Sequence, residues 1–68
     1  MLFAENVGNT PYESTWILED KAGHILGECV INNRMEKEYY SLWKKYSREQ
    51  IKEMFDHAVI TENGRIVA

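Results

Sequence analysis

Residues 12–31 constrain this chain more than any other stretch. Two runs rich in aromatic and β-branched residues, YESTWILE and HILGECVI, flank DKAG. Such runs read as strands, and the pair predicts a β-hairpin from Tyr12 to Ile31. Asp20 opens a type I turn, and Gly23 supplies the left-handed residue that closes a three-residue loop of Lys21, Ala22 and Gly23. In that register Leu18 faces Leu26 and Ile17 faces Gly27. Trp16, Leu18, Leu26 and Val30 then share one face, and Ile17, Ile25 and Cys29 the other. Both faces are partly apolar, whereas a hairpin with one wet face alternates cleanly. Either the monomer covers both faces or another chain covers one of them.

What can cover a hairpin depends on the rest of the chain. SREQIKEMFDHA predicts a helix that starts at Ser47, because Ser47 and Gln50 have the spacing of a capping box. Tyr46 stands where it can staple onto Ile51, and Ile51, Met54, Phe55 and Ala58 form the buried stripe. Upstream, NNRMEKEYYSLWKKY carries Met35, Tyr39, Leu42, Trp43 and Tyr46 at helical spacing, with Asn33 and Glu36 as a capping pair. This favours a helix over 34–46. A strand remains the alternative, since tyrosine and tryptophan suit strands, but its two faces would mix apolar and charged residues. The two helical stripes are rotated by roughly 120° on a common straight helix, so the chain bends near Ser47. At the end, Asn63-Gly64 between apolar flanks predicts a type I′ turn that sets Glu62 opposite Arg65 and Ile60 opposite Val67. Residues 1–11 end in the turn-rich GNTP and read as a loosely held N-terminal arm.

The expected fold is therefore α+β. A small antiparallel sheet, the N-terminal β-hairpin plus a short C-terminal strand or hairpin, packs against one or two helices. Residues 12–68 form a single small domain. At 68 residues the core is limited. A single cysteine, Cys29, removes an intrachain disulfide as a support and points to a reducing, cytoplasmic setting. The apolar run Leu2-Phe3-Ala4 is too short for a signal segment, and no stretch approaches a membrane span. One helical layer leaves one hairpin face open, which predicts a homodimer through the free face or edge, or a protein partner there.

Catalytic chemistry finds little footing. C-x-x-C, H-E-x-x-H and G-x-S-x-G are absent, and His24, Cys29 and His57 lack the spacing of a zinc site. Cys29 reads as a small buried hydrophobe, and no basic neighbour in sequence activates it. His57 suits a helix C-terminus, where its cation complements the dipole. Glu49, Glu53 and Asp56 read as a solvated helix face with Lys45 and Lys52 as partners. No catalytic residue, metal or cofactor is expected.

Two binding functions remain. Residues 1–31 carry Glu5, Glu13, Glu19, Asp20 and Glu28 against Lys21 alone. This acidic, partly apolar hairpin suits a small non-catalytic regulator or inhibitor that binds a protein through Glu13, Trp16, Ile17, Glu19, Asp20, Ile25 and Glu28. The alternative lies in YYSLWKKYSRE, where Lys44, Lys45 and Arg48 would contact phosphates while Tyr40 or Tyr46 stacks on a base. A net charge of -3 favours the protein partner, since nucleic-acid binders usually carry a positive excess.

Overall fold

The computed structural model describes the backbone of residues 1–62 and 65–66 and the side chains of residues 1–61. The strands are β1 (Phe3–Asn9), β2 (Glu13–Glu19), β3 (Ile25–Asn32), β4 (Lys37–Ser41), β5 (Val59–Glu62) and β6 (Arg65–Ile66), with helix α1 (Arg48–His57) between β4 and β5. They form one sheet in the order β4-β3-β2-β1-β5-β6. The fold is α+β, with a sheet on one helix. The sheet is mixed rather than purely antiparallel, because β5 runs parallel to β1. A parallel neighbour needs a long crossover, and α1 lies within it. Glu62 stands opposite Arg65, as the sequence implied. The expected type I′ turn at Asn63-Gly64 and the Ile60–Val67 pairing lie outside the described residues.

The expected N-terminal arm is instead an inner strand of the sheet. Residues Phe3–Asn9 pair with β2 on one side and, through Phe3, Ala4 and Glu5, with β5 on the other. The weak apolar pattern of FAENVGN hides this, because much of its support is tertiary. Asn6 donates its amide to the Thr15 carbonyl at 3.1 Å, beside a bulge between Asn6 and Gly8. The GNTP turn joins β1 to β2: the Thr10 hydroxyl accepts the Tyr12 and Glu13 N–H groups at 3.2 and 3.0 Å.

The β2–β3 hairpin forms with the expected loop but a shifted register. Gly23 has φ 88°, and its N–H donates to the Asp20 carbonyl at 3.0 Å. Glu19 faces Ile25 while Leu18 faces Gly27, so Leu26 is the extra residue of a bulge. A one-residue slip moves every later side chain to the other face. Trp16 and Leu18 therefore share a face with Gly27, Cys29 and Ile31, and Ile17 shares the opposite face with Glu28 and Val30.

Residues 37–41 form a strand, not the expected helix. The β3–β4 turn repeats the β2–β3 turn: Met35 donates its N–H to the Asn32 carbonyl at 3.0 Å and takes φ 64°. Asn32, rather than Asn33, is the pivot, since its side-chain oxygen accepts the Arg34 and Glu36 N–H groups at 2.9 and 3.0 Å. After β4 the chain reverses through Trp43 (φ 64°) and Lys44 (φ 51°), and the Ser41 hydroxyl accepts the Tyr46 N–H at 3.3 Å. Two left-handed residues in succession rule out a helix here, so the chain reverses at Trp43–Lys44 after a strand instead of bending near Ser47 between two helices.

Helix α1 starts where the capping box placed it. Ser47 Oγ accepts the Gln50 N–H at 3.1 Å and Gln50 Oε1 accepts the Ser47 N–H at 2.8 Å. Its one buried residue, Ile51, seats on Gly27. A Cβ at Gly27 would lie 2.7 Å from the Tyr40 carbonyl and 2.9 Å from Ile51 Cδ1, so only glycine lets the helix approach this closely. Among the described residues, Ala4, Leu18, Cys29 and Ile51 are the buried hydrophobic ones. Tyr39 reaches the same layer and tilts against Phe55, with ring centroids 5.9 Å apart.

Candidate functional site

The helix covers one side of the sheet, and no described element covers the other. Residues paired directly across a ladder project from the same side. The pairs Phe3–Glu19, Glu5–Ile17, Ile17–Glu28, Thr15–Val30, Val30–Glu38 and Glu28–Tyr40 therefore line the open side. The pattern is a chequerboard, in which apolar or aromatic residues neighbour carboxylates across the strands. Glu13 and Ile25 belong to this side through their pairing with Asn32 and Glu19. Among the described residues, no lysine or arginine lies within 4.0 Å of these carboxylates, and the one ion pair is His24 with Asp20.

Like charge leaves its mark on these groups. A hydrogen bond shared with Glu5 holds the Glu19 carboxyl above the usual range, and burial and the charges of Glu5 and Asp20 add to the shift. Tyr40 donates its hydroxyl to Glu38 at 3.1 Å, which pushes the phenol up, with the Glu38 charge adding to it. Neighbouring carboxylates favour the protonated form of each group, and for Tyr40 the charge of Arg48 offsets this only in part.

Most of the protein-binding candidates fall on this face. Glu13, Ile17, Glu19, Ile25 and Glu28 share it. Trp16 does not: it projects to the helix side and lines a shallow cleft with Ile31, Tyr39, Phe55 and Ile60. Asp20 sits in the turn, where one oxygen accepts the Ala22 and His24 N–H groups at 2.9 Å each and the other lies 3.1 Å from the His24 ring. Its carboxylate is therefore committed to the loop. Phe3, Glu5, Val30 and Glu38 join the face without having been singled out in the sequence. Finding them requires β1 and β4 to be strands and Leu26 to be a bulge.

The nucleic-acid candidates are divided. Tyr40 stands on the open face beside Glu28 and Glu38, a poor setting for a base and its phosphate. Lys44 lies in the reversal after β4 and Lys45 holds its ammonium 5.6 Å from the Tyr46 ring centre, whereas Arg48, at the start of α1, is near enough to Tyr40 for its charge to act on the phenol. For metal binding, no group of three His, Cys, Asp or Glu side chains comes together among the described residues. Cys29 is buried, and desolvation pushes its thiol up, only partly offset by Lys37 and a hydrogen bond with Tyr39.

Fold and face together define a small α+β domain with one helix-covered and one acid-studded sheet surface. No protein family, no curated protein and no solved structure matches the chain. No helix among the described residues is long and apolar enough to cross a membrane.

Proposed function

We propose that the protein is a small non-catalytic regulator or inhibitor that binds a basic protein partner through the open side of its sheet. One observation carries this reading: Glu5, Glu19, Glu28 and Glu38 share that side with Ile17, Val30 and Tyr40, and among the described residues no lysine or arginine lies within 4.0 Å of them. Apolar area supplies affinity on desolvation, while the carboxylates select lysine and arginine and speed encounter. A second copy of the chain on this face would set these carboxylates against their equivalents. That opposes the homodimer expected there and favours a cationic partner.

The test is affinity capture from the native extract, with the retained proteins identified and compared between variants. Ile17→Asp and Glu28→Lys should each lower recovery of the main partner by about tenfold or more, with unchanged circular dichroism. Glu49→Lys, on the exposed side of α1, should leave recovery intact. Equal recovery by all the variants sinks the reading. Nucleic acid is the competing outcome: retention of an oligonucleotide that is lost with Lys44→Ala, Lys45→Ala and Arg48→Ala and falls steeply with salt would replace the protein partner.

A further inference from the structure

The open face ends at β4, the outer strand of the sheet. The antiparallel ladder fixes which of its backbone groups are spent. Asn32 donates its N–H to the Glu36 carbonyl and Leu42 donates to the Leu26 carbonyl, at 3.1 and 3.0 Å. With Ile31 opposite Lys37 and Cys29 opposite Tyr39, the hydrogen-bonded pairs between those two ends are Val30–Glu38 and Glu28–Tyr40. Lys37, Tyr39 and Ser41 therefore turn their N–H and C=O groups outward. Among the described residues no hydrogen bond uses the main chain of Lys37 or Tyr39 on that outer side. The strand also lacks the proline or bulge with which proteins commonly blunt an edge.

The two sides of this edge differ in chemistry. Glu38 and Tyr40 project to the open face, with Glu28 next to Tyr40 on β3. Lys37, Tyr39 and Ser41 project to the helix side, where Tyr39 meets Phe55. A strand added antiparallel to β4 would place alternate side chains beside these two sets. Those opposite Glu38 and Tyr40 form the close, non-hydrogen-bonded pairs, so a cation there meets a carboxylate and an aromatic ring. Those opposite Tyr39 meet the apolar helix side.

We infer that β4 is a strand-addition site, and that its occupant is an extended segment of a protein partner in which basic and apolar residues alternate. This rests on the basic partner proposed above and adds the mode of binding: main-chain pairing supplies affinity and side-chain alternation supplies selection. A second copy of β4 is the weaker occupant, since it brings Glu38 and Tyr40 rather than cations to the face.

The experiment uses the whole protein and a synthetic peptide of about eight residues, alternating arginine and valine, within the usual length of a strand. Binding is followed by calorimetry and by the emission of Trp43, which is 83% exposed just beyond β4, in a Trp16→Phe background. In the predicted pose the valines carry the N–H groups that face β4. N-methylating the valines should weaken binding by about tenfold or more, while N-methylating the arginines should leave it unchanged. Lys37→Pro removes an outward N–H while keeping the ladder to β3, and should weaken binding similarly. Should Lys37→Pro fail to fold, the methylated peptides decide alone. Weakening by Glu28→Lys and Glu38→Lys, with both methylated peptides binding equally, overturns strand addition and keeps the acidic face. Binding indifferent to those charge reversals overturns both ideas. No binding of the unmodified peptide overturns strand addition. So does a sedimentation mass of twice the chain that Lys37→Pro reduces to one, because the occupant is then a second copy.

Discussion

The two hairpin turns on either side of β3 are the same device written in different residues. In the first, the Asp20 side chain accepts the N–H groups of Ala22 and His24, two and four residues on. In the second, the Asn32 side chain accepts those of Arg34 and Glu36 at the same offsets. A main-chain bond from the fourth residue back to the first closes each, from Gly23 to Asp20 and from Met35 to Asn32. Even the side-chain link between first and fifth residues recurs: His24 lies 3.1 Å from Asp20, and Asn32 donates to Glu36 at 3.3 Å. They differ at the left-handed position, which is glycine in one turn and methionine in the other.

That one difference explains why the first turn is legible in the sequence and the second is not. Gly23 announces a left-handed residue, because glycine adopts it without steric cost. Met35 gives no such notice and falls by chance into helical spacing with Tyr39, Leu42, Trp43 and Tyr46. Asn33 and Glu36 also have the spacing of a helix cap, yet it is Asn32 and Glu36 that interact, and they brace a turn. Signals held within a few residues survived: Asp20 to Gly23 gave the loop, and Ser47 with Gln50 gave the start of α1 to the residue. What failed depends on distant partners. The bulge at Leu26 moved Cys29 and Val30 across the sheet, and β1 takes its place from β2 and β5 on either side. The candidate face inherits this split. Ile17, Glu19 and Glu28 at its centre are singled out by the sequence, but the bulge that brings Ile17, Glu28 and Val30 onto one side is not, nor are its flanks on β1 and β4.

Gly23→Val should give the largest stability effect. A Cβ at Gly23 meets nothing within 4 Å, so the substitution tests backbone conformation and not crowding. A β-branched residue held at φ 88° should cost about 2 kcal/mol. For a chain of this size that is a fall in melting temperature of roughly 10 °C, readable by calorimetry. An unchanged melting temperature would mean that the loop can close without a left-handed residue, and the likeness of the two turns would fail.

Met35→Gly should act in the opposite direction and more weakly. It relieves a left-handed non-glycine residue that is 73% exposed, so little packing is lost. Relief of about 1–2 kcal/mol is partly offset by the greater freedom glycine gives the unfolded chain, about 0.5–1 kcal/mol. The expected gain is therefore about 0.5–1 kcal/mol in urea or guanidinium unfolding. Destabilisation would show that the exposed Met35 side chain packs in a way the turn geometry does not require.

The smallest effect separates the turns by pH. The His24 N–H, helped by the His24 ring and the Ala22 N–H, holds the Asp20 carboxyl below the usual range. A depressed folded pKa means the unfolded chain takes up this proton first, near the ordinary value of about 3.9. Asp20 therefore contributes stability above that value and loses it as pH falls through its lower folded pKa. Asn32 accepts the same two bonds with no proton to gain. In Asp20→Asn the first turn becomes a copy of the second in this respect. Glu19, whose raised pKa acts with the opposite sign, titrates in both proteins and largely cancels when their denaturant midpoints are compared. The advantage of the native chain over Asp20→Asn should thus shrink between about pH 5 and pH 3. A difference that stays constant across that range would mean that the aspartate braces its loop only as the asparagine does, through an oxygen and not through charge.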